Sequence, residues 1–343
     1  MKRFLFILTY TAFFASCQSS SVSSLSEYQL IHPELSLGEY LQVKNSSELI
    51  TVNRSSSQGG LVKISLPSGE ITVLDASASE ARDIKISEDQ VAYRVGQELR
   101  LLSQTNGHTY TVLSQKISKL RSFDKDLLCF ENEKSQPKWM RIDSQGRPTS
   151  SGELPGSVKA TAVLNDVLYL AYQNDDGFFF AQFPQNSSEV KDSLLIEATG
   201  EDENVGSYAA MRFFGSEVII GYLAENTGQF KIARKKSTQD QFHTEVIDGI
   251  ANKNFRGMDI AIFNDRGKPG FLYLDAWEYK LRWARQQNGK WISHQLPIQG
   301  AVGFYNQIIQ ENSDEILIGF HNFRSQRGDE TTYLNLATGK LAL

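Results

Sequence analysis

Arg82, Lys119, Lys159, Tyr208, Arg256 and Tyr305 recur at intervals of roughly 40–50 residues, each near the start of a β-rich stretch. Four are cations and two are phenols, in a chain of 343 residues whose formal net charge is −5. A planar guanidinium fits a carboxylate, an ammonium is a compact positive point, and aromatic faces stack on sugar rings or anchor interfaces. A second set has the same character: Trp277 and Tyr279 in Asp275-Ala276-Trp277-Glu278-Tyr279, and Arg324 and Arg327 in a long expected loop from His321 to Glu330. The chemistry these types imply is recognition of an anionic or carbohydrate partner. The competing reading is scattered surface charge, with an aromatic covering a sheet edge.

Catalytic signatures are missing. There is no Gly-x-Ser-x-Gly elbow, no phosphate-binding Gly-rich loop and no His-Glu-x-x-His. The five histidines fall singly. Asn174-Asp175-Asp176-Gly177 and Glu201-Asp202-Glu203-Asn204 offer hard oxygens of the kind Ca²⁺ takes, but their spacing is not that of a calcium loop and they read as turns. No metal and no cofactor is expected. Asp83 and Asp259 are the nearest approach to an acid pair; a glycan-active hydrolase or lyase would need two carboxylates about 5–9.5 Å apart. A non-catalytic binding protein is therefore the first expectation, and a glycan-active hydrolase or lyase the alternative.

The elements that must position these residues are strands. After residue 35, short β-rich runs such as Ile71-Thr72-Val73-Leu74, Val91-Ala92-Tyr93-Arg94-Val95 and Val218-Ile219-Ile220-Gly221-Tyr222 alternate with turn signals such as Pro67-Ser68-Gly69, Asn106-Gly107 and Asn288-Gly289. The phrase Ile220-Gly221-Tyr222-Leu223 returns as Phe271-Leu272-Tyr273-Leu274, and Lys231-Ile232-Ala233-Arg234 returns at the same offset as Arg282-Trp283-Ala284-Arg285. Looser copies occur at Leu170-Ala171-Tyr172 and Ile318-Gly319-Phe320. Units at 37–75, 81–115, 117–155, 157–199, 206–248, 255–298 and 302–343 predict an all-β fold, a β-propeller of seven four-stranded blades. A large sandwich, two smaller β domains, or six or eight blades are the alternatives. Tyr28-Gln29-Leu30-Ile31 is placed to supply an edge strand that closes the ring. The fifth and sixth units resemble repeats of sialidase-like bacterial propellers, although the Asp-box of that group, Ser-x-Asp-x-Gly-x-x-Trp, is not present.

The chain opens on Met1-Lys2-Arg3, an apolar run from Phe4 to Phe14, and Ala15-Ser16-Cys17. The run is too short for a hydrocarbon core, which needs about 20 apolar residues, but it suits the leader of an exported protein. Phe14-Ala15-Ser16-Cys17 resembles the lipobox of bacterial lipoproteins, with Phe14 in place of the usual Leu. That resemblance implies a signal peptide over 1–16, a lipid on Cys17, a Ser-rich tether over 17–27 and a propeller domain over 28–343. Gln18 in place of Asp implies the outer membrane of a bacterial cell envelope. Removing Lys2 and Arg3 with the leader leaves the product more acidic still, which argues against nucleic acid. The expected partner is an envelope protein or a glycan, and the expected state is a monomer. Of the two cysteines, Cys129 is then left alone in the apolar run Leu127-Leu128-Cys129-Phe130, where it reads as a small buried hydrophobe.

Overall fold

The structure is a computed structural model. It describes residues 25–340 except 32–34, 56–58, 67, 106, 108, 112–115, 185–186, 200–203, 299, 313–314 and 327–328. Cys17, the start of the Ser-rich tether, Glu201-Asp202-Glu203 and Arg327 lie outside the described residues. Among the described residues all regular structure is β, in seven antiparallel sheets of four strands each.

β1 (Leu25–Ile31) stands apart in sequence from the sheet it completes. Blade 1 is β2 (Glu39–Asn45), β3 (Glu48–Asn53), β4 (Gly60–Ser65) and β5 (Ile71–Asp75). Blade 2 is β6 (Ala81–Ser87), β7 (Gln90–Val95), β8 (Glu98–Ser103) and β9 (Thr109–Thr111). Blade 3 is β10 (Ile117–Asp124), β11 (Leu127–Asn132), β12 (Pro137–Ile142) and β13 (Pro148–Glu153). Blade 4 is β14 (Ser157–Leu164), β15 (Val167–Asn174), β16 (Gly177–Phe183) and β17 (Lys191–Ala198). Blade 5 is β18 (Val205–Phe214), β19 (Glu217–Ala224), β20 (Gln229–Lys236) and β21 (His243–Asp248). Blade 6 is β22 (Arg256–Asp265), β23 (Lys268–Asp275), β24 (Lys280–Gln287) and β25 (Lys290–Gln295). Blade 7 joins β26 (Ala301–Glu311), β27 (Glu315–Gln326) and β28 (Asp329–Lys340) to β1, which pairs with β28 from Leu25↔Gly339 to Ile31↔Leu334. The first and last described strands thus share one sheet, and the ring of a seven-bladed β-propeller is closed. Among the described residues each blade keeps one unpaired outer edge, and these edges are short.

Burial explains the sequence pattern. Second strands are covered on both faces and read as nearly continuous apolar runs: β19 is buried from Val218 to Ala224, and β11 from Leu127 to Glu131. Outermost strands meet solvent and read as polar, as in Pro148-Thr149-Ser150-Ser151 of β13. Seven apolar clusters form the core, one between each pair of neighbouring blades. Leu101, Ile117 and Leu128 pack blade 2 on blade 3, while Leu41 and Leu49 meet Ile309 and Leu336 where blade 1 closes on blade 7. Cys129 is fully buried between blades 3 and 4, and burial pushes its thiol up to about 11, which keeps it protonated.

The repeated Tyr and Lys/Arg positions have a structural use. Tyr222 of β19 donates its hydroxyl to Glu197, the acid near the end of the previous blade's outer strand, and Lys231 of β20 pairs with the same carboxylate at 2.5 Å. Tyr273 donates to Asp248, which also receives Ser293 Oγ at 2.5 Å and Arg282 Nε at 3.1 Å. Tyr93 donates to Asp75 at 2.6 Å, with Arg100 at 3.5 Å. Each set is a clamp from one blade's outer strand to the second and third strands of the next.

One expectation is corrected. The stretch beginning at His321 was expected as a loop, but strand continues to Gln326, with pairs Arg324↔Thr331, Ser325↔Glu330 and Gln326↔Asp329. A polar sequence reads as loop because residue type hides burial: His321 and Asn322 are polar yet buried, and beyond them the backbone groups pair between β27 and β28.

Candidate binding site at the channel mouth

The seven innermost strands, β2, β6, β10, β14, β18, β22 and β26, surround the central channel. Each departs from regular register near its start. A bulge inserts an extra residue and re-aims the side chain. In five blades a non-glycine residue sits at this level in the left-handed region: Tyr40, Asp83, Tyr208, Asp259 and Tyr305, with φ between 46° and 54°. For such residues the conformation costs about 1 kcal/mol or more each. All five line one cavity of about 490 Å³, within the roughly 300–1,000 Å³ of pockets that enclose small ligands. A glycine two residues earlier recurs in four of the five segments, as Gly38, Gly206, Gly257 and Gly303. At Gly206, with φ 88°, a Cβ would lie 2.4 Å from the Phe178 ring of the previous blade. The glycine lets the strand turn tightly over its neighbour before the side chain is delivered.

Blades 2 to 4 supply cations. Lys85, Lys119, Arg121 and Lys159 line the cavity together. Arg121 is committed to Glu131 at 2.6 Å, and Ser157 Oγ also donates to that carboxylate at 2.6 Å. The three lysine ammonium groups make no ion pair within 4.0 Å among the described residues. Confinement lowers the pKa of each. Lys159 falls to about 8, through desolvation first and then Arg121. Lys119 falls through desolvation and Arg121, although part of it meets solvent. Lys85, deeper in the channel, falls through desolvation against the opposing pull of Asp83 and Asp259.

The two carboxylates are used as staples. Asp83 holds Arg94 Nε at 2.9 Å and accepts the Leu120 N–H of blade 3 at 3.3 Å. Asp259 accepts the Tyr305 N–H of blade 7 through Oδ2 at 3.3 Å, and Asn306 Nδ2 donates to its backbone carbonyl at 2.8 Å. Burial raises the Asp259 carboxyl to about 6, against Tyr305 N–H, Lys119 and Lys85.

Blades 5, 6, 7 and 1 form the aromatic side. Tyr40 and Tyr305 lie 4.8 Å apart, and Tyr279 stacks at 6.4 Å on Phe304, which lines the cavity. Three exposed aromatics occur among the side chains described: Tyr208 at 44%, Tyr279 at 53% and Trp277 at 70%. All are on or beside this mouth, because the turn joining the second and third strands of blade 6 abuts β26 through Val302 N–H to Tyr279 O.

The structure gathers Lys119, Lys159, Tyr208 and Tyr305 into the cavity and sets Tyr279 and Trp277 at its rim. Arg82 is exposed beside the cavity, and its neighbour Asp83 points in. Arg256 lies elsewhere: it joins the blade 6 clamp, with Asp248 at 2.6 Å and Asp275 at 2.8 Å, and those pairs use its donors. Arg324 is on β27, paired with Thr331 of β28, and its side chain lies outside those described. Sequence reasoning missed Tyr40 and Lys85. The signal for Tyr40 was available in Gly38-x-Tyr40, Gly206-x-Tyr208, Gly257-x-Asp259 and Gly303-x-Tyr305. Asn174 accepts the N–H groups of Asp176 and Gly177, so that acidic stretch forms a turn. Among the described residues no group of three or more His, Cys, Asp or Glu could hold a metal.

No protein-family model and no curated protein matches this chain. Solved structures do. Hsv2 of Kluyveromyces lactis is similar at TM-score 0.54 with 8% identity, over 90% of this chain and 100% of that one. The AfRom2 CNH domain gives 0.57 with 11% identity, over 90% and 98%. KlAtg21, solved in complex with the coiled-coil of AgAtg16, gives 0.55 with 11% identity, over 87% and 97%. At these identities the likeness is one of fold.

Proposed function

We propose that this protein is a non-catalytic binding or scaffold protein that captures an anionic partner, a protein or a glycan of a bacterial cell envelope, at the channel mouth. The observation that carries the reading is the set of three lysines with no ion pair among the described residues, facing a cavity whose other wall is built from strained tyrosines. Holding like charges together in a partly desolvated space destabilises the empty protein, and an anion relieves the cost. Strain retained at Tyr40, Tyr208 and Tyr305 points the same way, since glycine would remove it. A rigid ring suits capture, and the similar ring of KlAtg21 has been solved with a coiled-coil partner.

Asp259, with its raised pKa, is the one group that favours a hydrolytic reading. Its prospective partner Asp83 is already held by Arg94 and Leu120, which weighs against an acid–nucleophile pair.

The lipobox-like leader supports a lipid anchor at Cys17 and a place at the outer membrane. Two or more acyl chains on one residue would hold the ring firmly, and the Ser-rich tether would give it reach. In a membrane fractionation of the full chain, Cys17→Ser is expected to move the protein from the membrane to the soluble fraction; unchanged partition removes the anchor. For the mouth, the full chain titrated with acidic and neutral peptides and glycans is expected to bind acidic members only, with affinity falling as salt rises. Binding that ignores both charge and salt removes the reading.

A further inference from the structure

The distribution of groups in the mouth narrows the partner, given the anion-binding reading above. The cations lie on one arc only, blades 2 to 4, and the opposite arc carries Tyr208, Asp259, Phe304, Tyr305 and Tyr40. A compact dianion such as phosphate would use the lysines and find a carboxyl and phenols facing it. The remaining lining sets the amides Gln42, Asn306 and Gln307 beside the phenols, among apolar groups such as Leu41, Met258 and Ile260. Asp259 makes no hydrogen bond through Oδ1 among the described residues, so it can accept from a hydroxyl. Hydroxyl donors and acceptors around a flat face, with one carboxylate at the edge, describe an acidic sugar ring. Trp277 and Tyr279 extend the site outward: both are exposed, and Tyr279 continues the wall through Phe304. Exposed faces of this kind stack on further rings of a chain.

We propose that the mouth takes the acidic end of a carbohydrate chain, its carboxylate among Lys85, Lys119 and Lys159, its ring against Tyr208 and Tyr305, and its next unit on Tyr279 and Trp277. The site binds and does not cleave; no bond is made or broken.

The test is titration calorimetry of the full chain with trigalacturonate, its methyl ester, monomeric galacturonate, triglutamate and inorganic phosphate. Trigalacturonate is expected to bind tightest, with the neutral ester and triglutamate each weaker by about tenfold or more, the size of one lost charge-assisted contact. Trp277→Ala with Tyr279→Ala is expected to weaken trigalacturonate about tenfold and to leave monomeric galacturonate unchanged. Because both side chains are exposed, the fold does not depend on them. Triglutamate or phosphate binding as tightly as trigalacturonate, or a rim double variant with no effect, overturns the acidic-sugar assignment while the anion-binding mouth stands. Failure of every anion to bind in a manner lost on Lys119→Met with Lys159→Met overturns both.

Discussion

The molecule uses tyrosine, lysine or arginine, and carboxylate in two regions with opposite outcomes. In the clamps, Tyr222 with Glu197 and Lys231, and Tyr273 with Asp248, Arg282 and Ser293, every polar group meets a partner and the phenol pKa is pushed upward by burial and by the acid. At the mouth, Lys85, Lys119 and Lys159 stand without ion partners and Tyr208 is exposed. The same chemistry is closed in one place and open in the other. A satisfied network holds blades together, and an unsatisfied one is free to hold something else.

The sharpest way to break this comparison is to open a clamp. Asp248→Ala leaves Arg256, Arg282 and Tyr273 without their shared acceptor. Removing one partner of a buried charge network costs about 3–5 kcal/mol. The urea midpoint is expected to fall accordingly. A loss below about 1 kcal/mol would show that the clamps are not structural and would dissolve the contrast.

The reciprocal experiment empties the mouth of charge. Lys85→Met, Lys119→Met and Lys159→Met together keep side-chain volume and remove three cations. Affinity for an acidic ligand is expected to fall by roughly 10²–10³-fold, since each charge-assisted hydrogen bond contributes about 1.5–3 kcal/mol and the three are not additive. The urea midpoint should hold or rise, because the lysines repel one another. A large drop in stability would make them structural after all.

These two regions were unequally legible in the sequence. The seven-bladed fold was readable because blade interiors impose a strong pattern: the second strand must be apolar throughout, as at Val218 to Leu223, and turns must punctuate it. The repeated Tyr222/Tyr273 and Lys231/Arg282 positions were also visible. Their use was not, because the acids that complete the clamps sit on the preceding blade and vary between Glu197 and Asp248. Arg256 shows the same limit. Its type and place match an anion site, and only the contacts with Asp248 and Asp275 give it to the clamp. At the mouth, a count of positions from each unit's start selects Arg82, but the bulge shifts the inward-facing residue by one, to Asp83. Bulges follow local backbone geometry, which residue type signals only weakly. Lys85 was invisible because depth in the channel has no sequence signature.

Proton linkage acts within the open region. Asp259, raised to about 6, faces Lys85, Lys119, Tyr208 and the Tyr305 N–H. Lys159, lowered to about 8, faces Arg121, Lys119, Glu131 and Glu225. An acidic ligand prefers Asp259 protonated and Lys159 protonated. Its affinity is therefore expected to decline in two steps as pH rises, near 6 and near 8. Asp259→Asn should remove the lower step and Lys159→Met the upper. Stability carries opposite signs. A raised carboxyl favours the folded state below about 4, and that contribution is lost as pH rises through 6. A lowered lysine favours the folded state above its ordinary range, and that contribution is lost as pH falls through 8. The empty protein is then least favoured by these groups between about 6 and 8, which a pH series of unfolding midpoints would show. A pH-independent affinity would place the ligand away from both residues.

The smallest effect tests the strain itself. Tyr208 is exposed and left-handed, with φ 51°. If its ring is kept for a partner and not for packing, the backbone gains when the ring is removed and the conformation is made easy. Tyr208→Gly is expected to be more stable than Tyr208→Ala by about 1 kcal/mol, because alanine retains the Cβ that the left-handed region disfavours while glycine does not. Both variants should lose ligand affinity to a similar degree, since both lack the phenol. A clamp tyrosine offers the control: at Tyr273, extended within β23 and fully buried, glycine must be worse than alanine, because nothing there is relieved and a strand interior disfavours glycine. Opposite ordering of the same two substitutions at Tyr208 and Tyr273 in thermal unfolding would tie strain to the open region alone. The same ordering at both would mean that the bulges serve the fold.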